Sequence, residues 1–170
     1  MQEVKADRNM KFKAAILITS DRAYSGERPD ATGPLLKNSL SESGYSVVDL
    51  VIVPDDQKII VSTLKKWVLN QKIHLVLTSG GTGLSPRDVT PEATLEIIEK
   101  RIPGMEEAMR QASFKITPNA ILSRAVAGIA GNSLIINLPG NPKGAIENLQ
   151  VIEPSLDHAL KLINDLKPDP

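Results

Sequence analysis

A strand that runs into a glycine-rich loop constrains this chain more than any other feature. Residues 75–78 (LVLT) are typical of a buried strand, residues 79–85 (SGGTGLS) are rich in glycine and hydroxyl groups, and Thr90-Pro91-Glu92 indicates a helix start. Glycine lets the backbone lie against a ligand, and successive exposed N–H groups bind anions. Together these parts are how α/β proteins hold phosphate groups at the carboxyl end of a sheet.

Asp88 is the unexpected residue in this segment. A carboxylate repels phosphate, so phosphate binding alone does not explain it. The two uses that would explain it are a divalent metal ion, which carboxylate oxygens bind, and catalysis.

The other apolar runs predict one α/β domain. Strands are expected at residues 13–19, 45–53 and 73–78, and a hairpin with a Gly131-Asn132 turn is expected from residues 125–129 and 133–138. Alternating strands and helices favour a three-layer α/β/α fold, with a mainly parallel sheet and one antiparallel hairpin. We expect residues 1–11 to be a disordered lead-in and residues 12–166 to form the domain.

Proline, glycine and acidic residues mark the ends of the predicted helices. The first begins at Pro34 and ends at Gly44, and either Asp55 or Asp56 caps the second. Thr90 caps the third, which Pro103-Gly104 ends. Two more are expected, at residues 105–114 and 145–163, and Pro154 should kink or break the last one.

Composition excludes several function classes. Basic and acidic residues number 20 each, so no global field favours nucleic acid or an anionic membrane as a partner. The chain has no cysteine, which excludes disulfides, thiolate metal sites and cysteine nucleophiles. Residues 1–10 do not resemble a signal peptide, and no apolar run is long enough to span a bilayer. We therefore expect a cytoplasmic protein.

The loops that follow the predicted strands can share one crevice. Asp21 follows the first strand, Asp55 the second, the Gly80 loop the third and residues 139–144 (PGNPKG) the last. Ligands of open α/β sheets bind beyond the carboxyl ends of the strands. Backbone donors and Lys143, combined with the carboxylates, indicate a bridging Mg²⁺ ion and phosphoryl or nucleotidyl transfer. The loop matches neither a P-loop nor a dinucleotide fingerprint.

Structural roles remain open for the same residues. Asp55 could serve only as a helix N-cap, and Asp88 could cap the turn before Thr90. Asp21 could be an ordinary polar residue at a strand end. Lys143 could be a solvated surface lysine, although a cation after a glycine turn also suits a phosphate contact.

Residues 79–94 (SGGTGLSPRDVTPEAT) resemble the signature of the MogA/MoaB molybdopterin-binding family. The resemblance extends over residues 12–165 and includes residues 20–23 (SDRA), 53–55 (VPD), 121–124 (ILSR) and 138–143 (LPGNPK). It implies that Asp55 and Asp88 are catalytic and hold Mg²⁺. The molybdopterin- and nucleotide-binding residues it implies are Asp21, Ser79, Gly80, Gly81, Thr82, Gly83, Ser85, Pro139, Gly140, Asn141, Pro142 and Lys143.

The family has two branches with different implied functions. MogA-type members join AMP from ATP to the molybdopterin phosphate and release pyrophosphate with Mg²⁺, whereas some MoaB-type paralogues only bind molybdopterin. Asp55, residues 87–91 (RDVTP) and residues 139–143 (PGNPK) favour the first branch, although residues 125–128 (AVAG) are also common in the second. The resemblance also implies a homotrimer, or a hexamer of paired trimers, and a molybdate-inserting partner protein.

Overall fold

The computed structural model describes residues 11–166, which form one six-stranded sheet with helices on both faces. The strands are β1 Lys13–Thr19, β2 Ser46–Val53, β3 Leu75–Ser79, β4 Lys100–Arg101, β5 Ala127–Ala130 and β6 Ser133–Leu138. The helices are α1 Asp21–Tyr24, α2 Thr32–Glu42, α3 Gln57–Lys65, α4 Thr90–Leu95, α5 Pro103–Phe114 and α6 Pro142–Ile163. A π-helix, Lys66–Asn70, extends α3, and a 3-10 helix spans Pro118–Leu122. Of the expected lead-in, only Lys11 lies within the described residues.

The sheet has the strand order β2-β1-β3-β6-β5-β4. Its β1, β2, β3 and β6 strands pair parallel, whereas β5 pairs antiparallel with both β6 and β4. Gly131, in the turn between β5 and β6, has a φ of +54°. The predicted mainly parallel sheet and the antiparallel hairpin are therefore confirmed.

The two faces of the sheet bury separate apolar clusters. Alternate residues of β1 show this arrangement, because successive side chains of a strand point to opposite faces. Ile16 lies in one cluster with Leu36 of α2 and Leu149 of α6, whereas Leu17 lies in the other with Ile60 of α3. Helices cover both clusters, which confirms the expected three layers.

The helices before and after β2 lie on opposite faces of the sheet, and the strand order reverses direction at β1. Helix α2, which connects β1 to β2, covers one face, and α3, which connects β2 to β3, covers the other. The neighbours of β1 are β2 on one side and β3 on the other. The segments that follow β1 and β3 lead to helices on opposite faces of the sheet, because Leu36 of α2 lies in one cluster and Ala93 of α4 in the other. A crevice beyond the carboxyl ends of such strands is where open α/β sheets bind ligands.

Helix α2 begins earlier than Pro34 because a carboxylate caps its first turn. The Asp30 side chain accepts hydrogen bonds from the N–H groups of Thr32 and Gly33, at 2.9 and 3.1 Å. These backbone donors would otherwise lack partners at a helix N-terminus. Helix α2 thus starts at Thr32, two residues before the expected Pro34, and α1 precedes it at Asp21–Tyr24.

The helix predicted to run from Thr90 to Pro103 is much shorter, and Thr90 is not its cap. Val89 occupies the N-cap position without a side-chain hydrogen bond. Thr90 is buried, and its Oγ1 lies 3.1 Å from Oγ1 of Thr19 at the end of β1. Its hydroxyl therefore ties α4 to the sheet.

Pairing at the sheet edge ends α4 at Leu95. The N–H groups of Glu99 and Ile102 donate to carbonyl oxygens of the β5 segment at 2.7 and 2.8 Å, and β4 forms between them. Long-range pairing thus overrides the local helical pattern.

Helix α6 continues through Pro154, so the expected break is wrong, and the expected kink stays a prediction. Proline cannot donate to the carbonyl four residues earlier, which belongs to Gln150. Gln150 is exposed and Pro154 is exposed as well, so that carbonyl can reach water instead. Among residues 11–166, no helix combines the length and apolar character that crossing a membrane requires.

We expect Pro154→Ala to stabilise the protein, because alanine restores the missing helical hydrogen bond on an exposed face. The free energy of unfolding should rise by about 1–3 kcal/mol, measured by urea denaturation. Ser155→Ala, on the neighbouring exposed position, is the matched control and should change it by no more than about 0.5 kcal/mol. A Pro154→Ala gain no larger than that of the control would contradict this account.

Candidate active site

The loops after β1 and β2 are joined by a reciprocal pair of aspartates. The Asp21 N–H donates to Oδ2 of Asp55, and the Asp55 N–H donates to Oδ1 of Asp21, both at 3.0 Å. The helix N-cap is Asp56, whose Oδ1 accepts from the N–H of Ile59 at 3.1 Å. The structural alternative in which Asp55 caps α3 is therefore wrong.

Arg87 compensates the charge of Asp21 across the crevice. Its Nε and Nη2 donate to the two carboxylate oxygens of Asp21, at 2.9 and 2.8 Å. This bidentate pair and the Asp55 N–H hold the pKa of Asp21 below its usual range. The contact links the loop after β1 to the tip of the glycine-rich loop.

Asp55 lacks such a partner, and its pKa is raised. Burial is the largest cause, and the negative charges of Asp21 and Asp88 act in the same direction, whereas the Asp21 N–H opposes them. Burial and the neighbouring negative charges thus destabilise the ionised form of the Asp55 carboxylate. Such groups are candidates for a functional site.

Two glycines of the loop after β3 adopt backbone conformations that disfavour side chains. Gly80 and Gly81 have φ values of +104° and +64°. A Cβ on Gly80 would overlap the carbonyl oxygen of Thr19, and one on Gly81 would overlap Oγ1 of Thr90. Both positions therefore require glycine for two reasons: the positive φ, and the lack of space for a Cβ.

The loops after β3 and β6 lie against each other. The Gly80 N–H donates to the Leu138 carbonyl at 3.1 Å, and the Ser79 hydroxyl donates to the Pro139 carbonyl at 2.9 Å. A Cβ on Gly140 would lie 3.2 Å from the Cα of Gly80. Ser79 therefore has a structural role, because its hydroxyl is used to join the two loops.

Two cavities flank these joined loops. The larger, about 390 Å³, lies between the loops and helices α5 and α6, and its walls include Thr82, Gly83, Pro139, Asn141 and Lys143. The smaller, about 230 Å³, lies toward the loop after β1, and its walls include Ser79, Gly80, Gly81, Gly140 and Pro142. In each of the two loops, some residues therefore line the larger cavity and their neighbours in sequence line the smaller one.

Asn141 and Lys143 differ in what their side chains do at the start of α6. Asn141 caps the helix, because its Oδ1 accepts from the Gly144 N–H at 2.6 Å. Lys143 is 81% exposed, and its Nζ lies 3.8 Å from a carboxylate oxygen of Glu147. Lys143 is therefore a solvated cation at the rim of the larger cavity, as the surface-lysine alternative expected.

Asp88 closes a turn and also faces the glycine loop. Its Oδ2 accepts from the Ser85 N–H at 2.9 Å, and its own N–H donates to the Ser85 carbonyl at 2.9 Å. A Cβ on Gly83 would lie 2.9 Å from the same Oδ2. Asp88 therefore has the structural role of a turn cap, and this role does not occupy its Oδ1.

The sequence profile of the family described as "Probable molybdopterin binding domain" matches residues 15–158. The chain belongs to this family.

Two relatives illustrate its range of architectures. A molybdopterin adenylyltransferase from Haemophilus influenzae is 44% identical over 144 residues, which are 84% of this chain and 73% of that protein. The molybdenum cofactor synthesis protein cinnamon from Drosophila melanogaster is 41% identical over 152 residues, which are 88% of this chain but 25% of that protein. The chain thus spans about a quarter of the length of cinnamon.

Solved structures share the fold. The molybdopterin biosynthesis enzyme MoaB from Thermus thermophilus is 44% identical, with a TM-score of 0.87 over 92% of this chain and 98% of that chain. The α/β/α architecture of the molybdopterin-binding family is therefore the architecture of this protein.

Sequence reasoning missed Arg124 and the wall beside it. Arg124 follows the 3-10 helix, and its guanidinium donates to the carbonyls of Gly83 and Asp88, both at 2.7 Å. Ser123 and residues of that 3-10 helix line the larger cavity. The segment 121–124 belongs to the family resemblance, which was the available signal, but its carbonyl partners are more than 35 residues away in sequence.

Gly81→Ala should destabilise the protein more than Gly131→Ala does. Both glycines have positive φ, but a Cβ on Gly131 meets open space. Gly131→Ala should cost about 1–2 kcal/mol from backbone strain, and Gly81→Ala about 1–3 kcal/mol more, because it displaces the Thr90 hydroxyl. Chemical denaturation of both variants gives the comparison, and equal costs would show that the contact with Thr90 is not tight.

Proposed function

We propose that this protein is a molybdopterin adenylyltransferase, which transfers AMP from ATP to the molybdopterin phosphate and releases pyrophosphate. The observation that carries the proposal is that Asp88 lies against Gly83 of the glycine loop, near enough to Asp55 for its charge to raise the pKa of Asp55, where the loops separate two cavities. The 44% identity to an adenylyltransferase over 84% of the chain supports it.

Two cavities on either side of one phosphate-binding wall suit a reaction between two phosphorylated substrates. Each substrate consists of a heteroaromatic ring and phosphate groups. Polar side chains line the larger cavity and suit such ring edges, namely Ser113, Thr117 and Asn119. The loops in between present backbone to the phosphates.

The donor chemistry fits Mg²⁺, which prefers oxygen ligands and keeps some of its coordination for substrate phosphates. Among residues 11–166, no hydrogen-bond donor reaches Oδ1 of Asp55 or Oδ1 of Asp88. The same residues contain no cluster of three or more His, Asp or Glu side chains arranged to hold a metal. Asp55 and Asp88 would therefore hold the ion together with phosphate oxygens, and the bound ion would neutralise charge between the two phosphates.

The chemistry needs positioning more than proton transfer. A molybdopterin phosphate oxygen attacks the α-phosphorus of ATP, a new P–O bond forms, and the bond to the bridging oxygen of the leaving pyrophosphate breaks. The attacking phosphate is already ionised near neutral pH, so no general base is required. The loops orient the two phosphates, and Arg87, once released from Asp21, supplies a guanidinium for phosphate oxygens.

The second candidate is a molybdopterin-binding protein without catalysis. The 44% identity to a MoaB enzyme, equal to that to an adenylyltransferase, keeps this candidate in view. Asp55 favours catalysis, because an asparagine could accept the Asp21 N–H equally well, whereas a half-buried carboxylate repels an anionic ligand. We also propose a homotrimer and a molybdate-inserting partner, with exposed apolar residues such as Phe114, Ile116 and Ile121 as candidate contacts.

Asp55→Asn and Asp88→Asn should each lower AMP transfer by about a hundredfold or more, because each removes a charge that balances the reacting phosphates. Purified protein is incubated with molybdopterin, ATP and Mg²⁺, and both pyrophosphate and the adenylylated product are measured. Asp157→Asn, at an exposed position of α6, is the control and should retain the wild-type rate.

Two results would contradict this proposal. Molybdopterin binding without pyrophosphate release by the wild-type protein would support the binding protein instead. Wild-type rates in either aspartate variant would remove the assigned role of that carboxylate.

Asp21→Asn should shift the acid limb of the rate profile to lower pH. The pKa of Asp55 lies above its ordinary value of 3.8, so Asp55 takes up a proton, and activity falls, at a higher pH than for an ordinary aspartate. Asparagine removes the negative charge of Asp21, which lowers the pKa of Asp55, while its side-chain oxygen can still accept the Asp55 N–H. AMP transfer is measured from pH 4 to pH 8 (roughly the range in which carboxylates and the phosphate titrate). An acid limb that stays in place, or moves to higher pH, would sink this prediction.

A further inference from the structure

We propose that Arg124 is a positioning residue that fixes the Asp88 carboxylate for catalysis without itself touching substrate. The inference rests on the proposed adenylyl transfer. The loop at residues 83–88 carries Asp88, and its tip, residues 84–87, is exposed. Polar contacts therefore hold the loop: the Arg87–Asp21 pair anchors its tip, and the Ser85–Asp88 bonds close its turn.

Arg124 bonds to both ends of this loop. Its Nε donates to the Gly83 carbonyl and its Nη2 to the Asp88 carbonyl, each at 2.7 Å, and its backbone N–H donates to the Thr82 carbonyl at 2.9 Å. One planar group thus sets the distance between the first and last residues of the loop. Such two-point contacts from a guanidinium are geometrically specific.

The third nitrogen of the guanidinium is occupied as well. Nη1 of Arg124 pairs with Oε1 of Glu92 in the first turn of α4. All three nitrogens therefore have acceptors within the protein, and the carboxylate balances the positive charge. The Arg124 side chain is also less exposed than that of Arg87, 35% against 62%.

Arg124 also connects Asp88 to the larger cavity. Ser123 and Leu122, immediately before it, line that cavity together with Thr82 and Gly83. A ligand that fills the cavity contacts the same segments that Arg124 joins. Correct placement of the Asp88 side chain therefore depends on Arg124, and displacement of a reacting group by about 1 Å can cost about a hundredfold in rate.

The test compares Arg124→Lys with wild type. Lysine keeps the positive charge but cannot span the carbonyls of Gly83 and Asp88 together. We expect kcat for AMP transfer to fall about tenfold to a hundredfold while KM for ATP and molybdopterin changes less than about twofold, because binding is kept and placement is lost. Rescue by lysine, with wild-type kcat, would overturn the proposal.

A double-mutant cycle with Asp88→Asn separates positioning from an independent role. If Arg124 acts through Asp88, Arg124→Lys should cause no further loss of residual kcat in the Asp88→Asn background. Additive losses would overturn the proposal.

Amide hydrogen exchange gives a readout that does not need turnover. Exchange of the Ser85 and Asp88 N–H groups, which bond within the loop, should be at least tenfold faster in Arg124→Lys (about the effect of losing the two carbonyl contacts). Arg101→Lys is the matched control. Arg101, like Arg124, donates from both Nε and Nη2, but its acceptor is the Glu106 carboxylate at the sheet edge. It should leave exchange at Ser85 and Asp88 unchanged.

The exchange measurement also separates this inference from the proposed function. If the wild-type protein transfers no AMP, the proposed function fails, and exchange alone decides whether Arg124 holds the loop. Unchanged exchange at Ser85 and Asp88 in Arg124→Lys would then overturn the positioning role. Faster exchange of these two N–H groups in Arg124→Lys, together with unchanged exchange in Arg101→Lys, would support the positioning role.

Discussion

The close approach of two glycine backbones is the constraint on which the site depends. Ser79 pairs with Ile18 of β1 and Leu138 of β6, so the loops after these strands leave the sheet at the same level. Gly80 and Gly140 then pack so tightly that a Cβ on Gly140 would lie 3.2 Å from the Cα of Gly80. A side chain at Gly140 would push the two loops apart by a few tenths of an ångström and would disturb the common wall between the two cavities.

The crevice stabilises its carboxylates unequally. Asp21 has a bidentate arginine and a backbone donor, so its ionised form is favoured. Asp55 has one backbone donor, is half buried and lies near two other negative charges, so its ionised form is disfavoured. A cation brought in by phosphate groups would relieve this repulsion, and the free energy gained would favour the complex with both substrates over the empty site.

Local signals were sufficient for β1 and for the hairpin turn, where an apolar run and Gly131-Asn132 specify the structure by themselves. They could not decide between the adjacent carboxylates Asp55 and Asp56, because the choice depends on an N–H from the segment after β1, that of Asp21. The early end of α4 has the same origin in pairing with β5. The converging loops were predictable because parallel strands align their carboxyl ends, whereas Arg124 was not, because carbonyl acceptors carry no signature in sequence.

Asp88 offers the clearest argument for catalysis over simple binding. Its structural task is to accept the Ser85 N–H, and the amide oxygen of asparagine would perform that task equally well. A protein that only bound anionic ligands would gain from the neutral side chain, because it would not repel phosphate. The turn therefore does not explain the negative charge. The proposed reaction, which joins two phosphates, would explain it, because an ion that neutralises them would need anionic oxygen ligands from the protein.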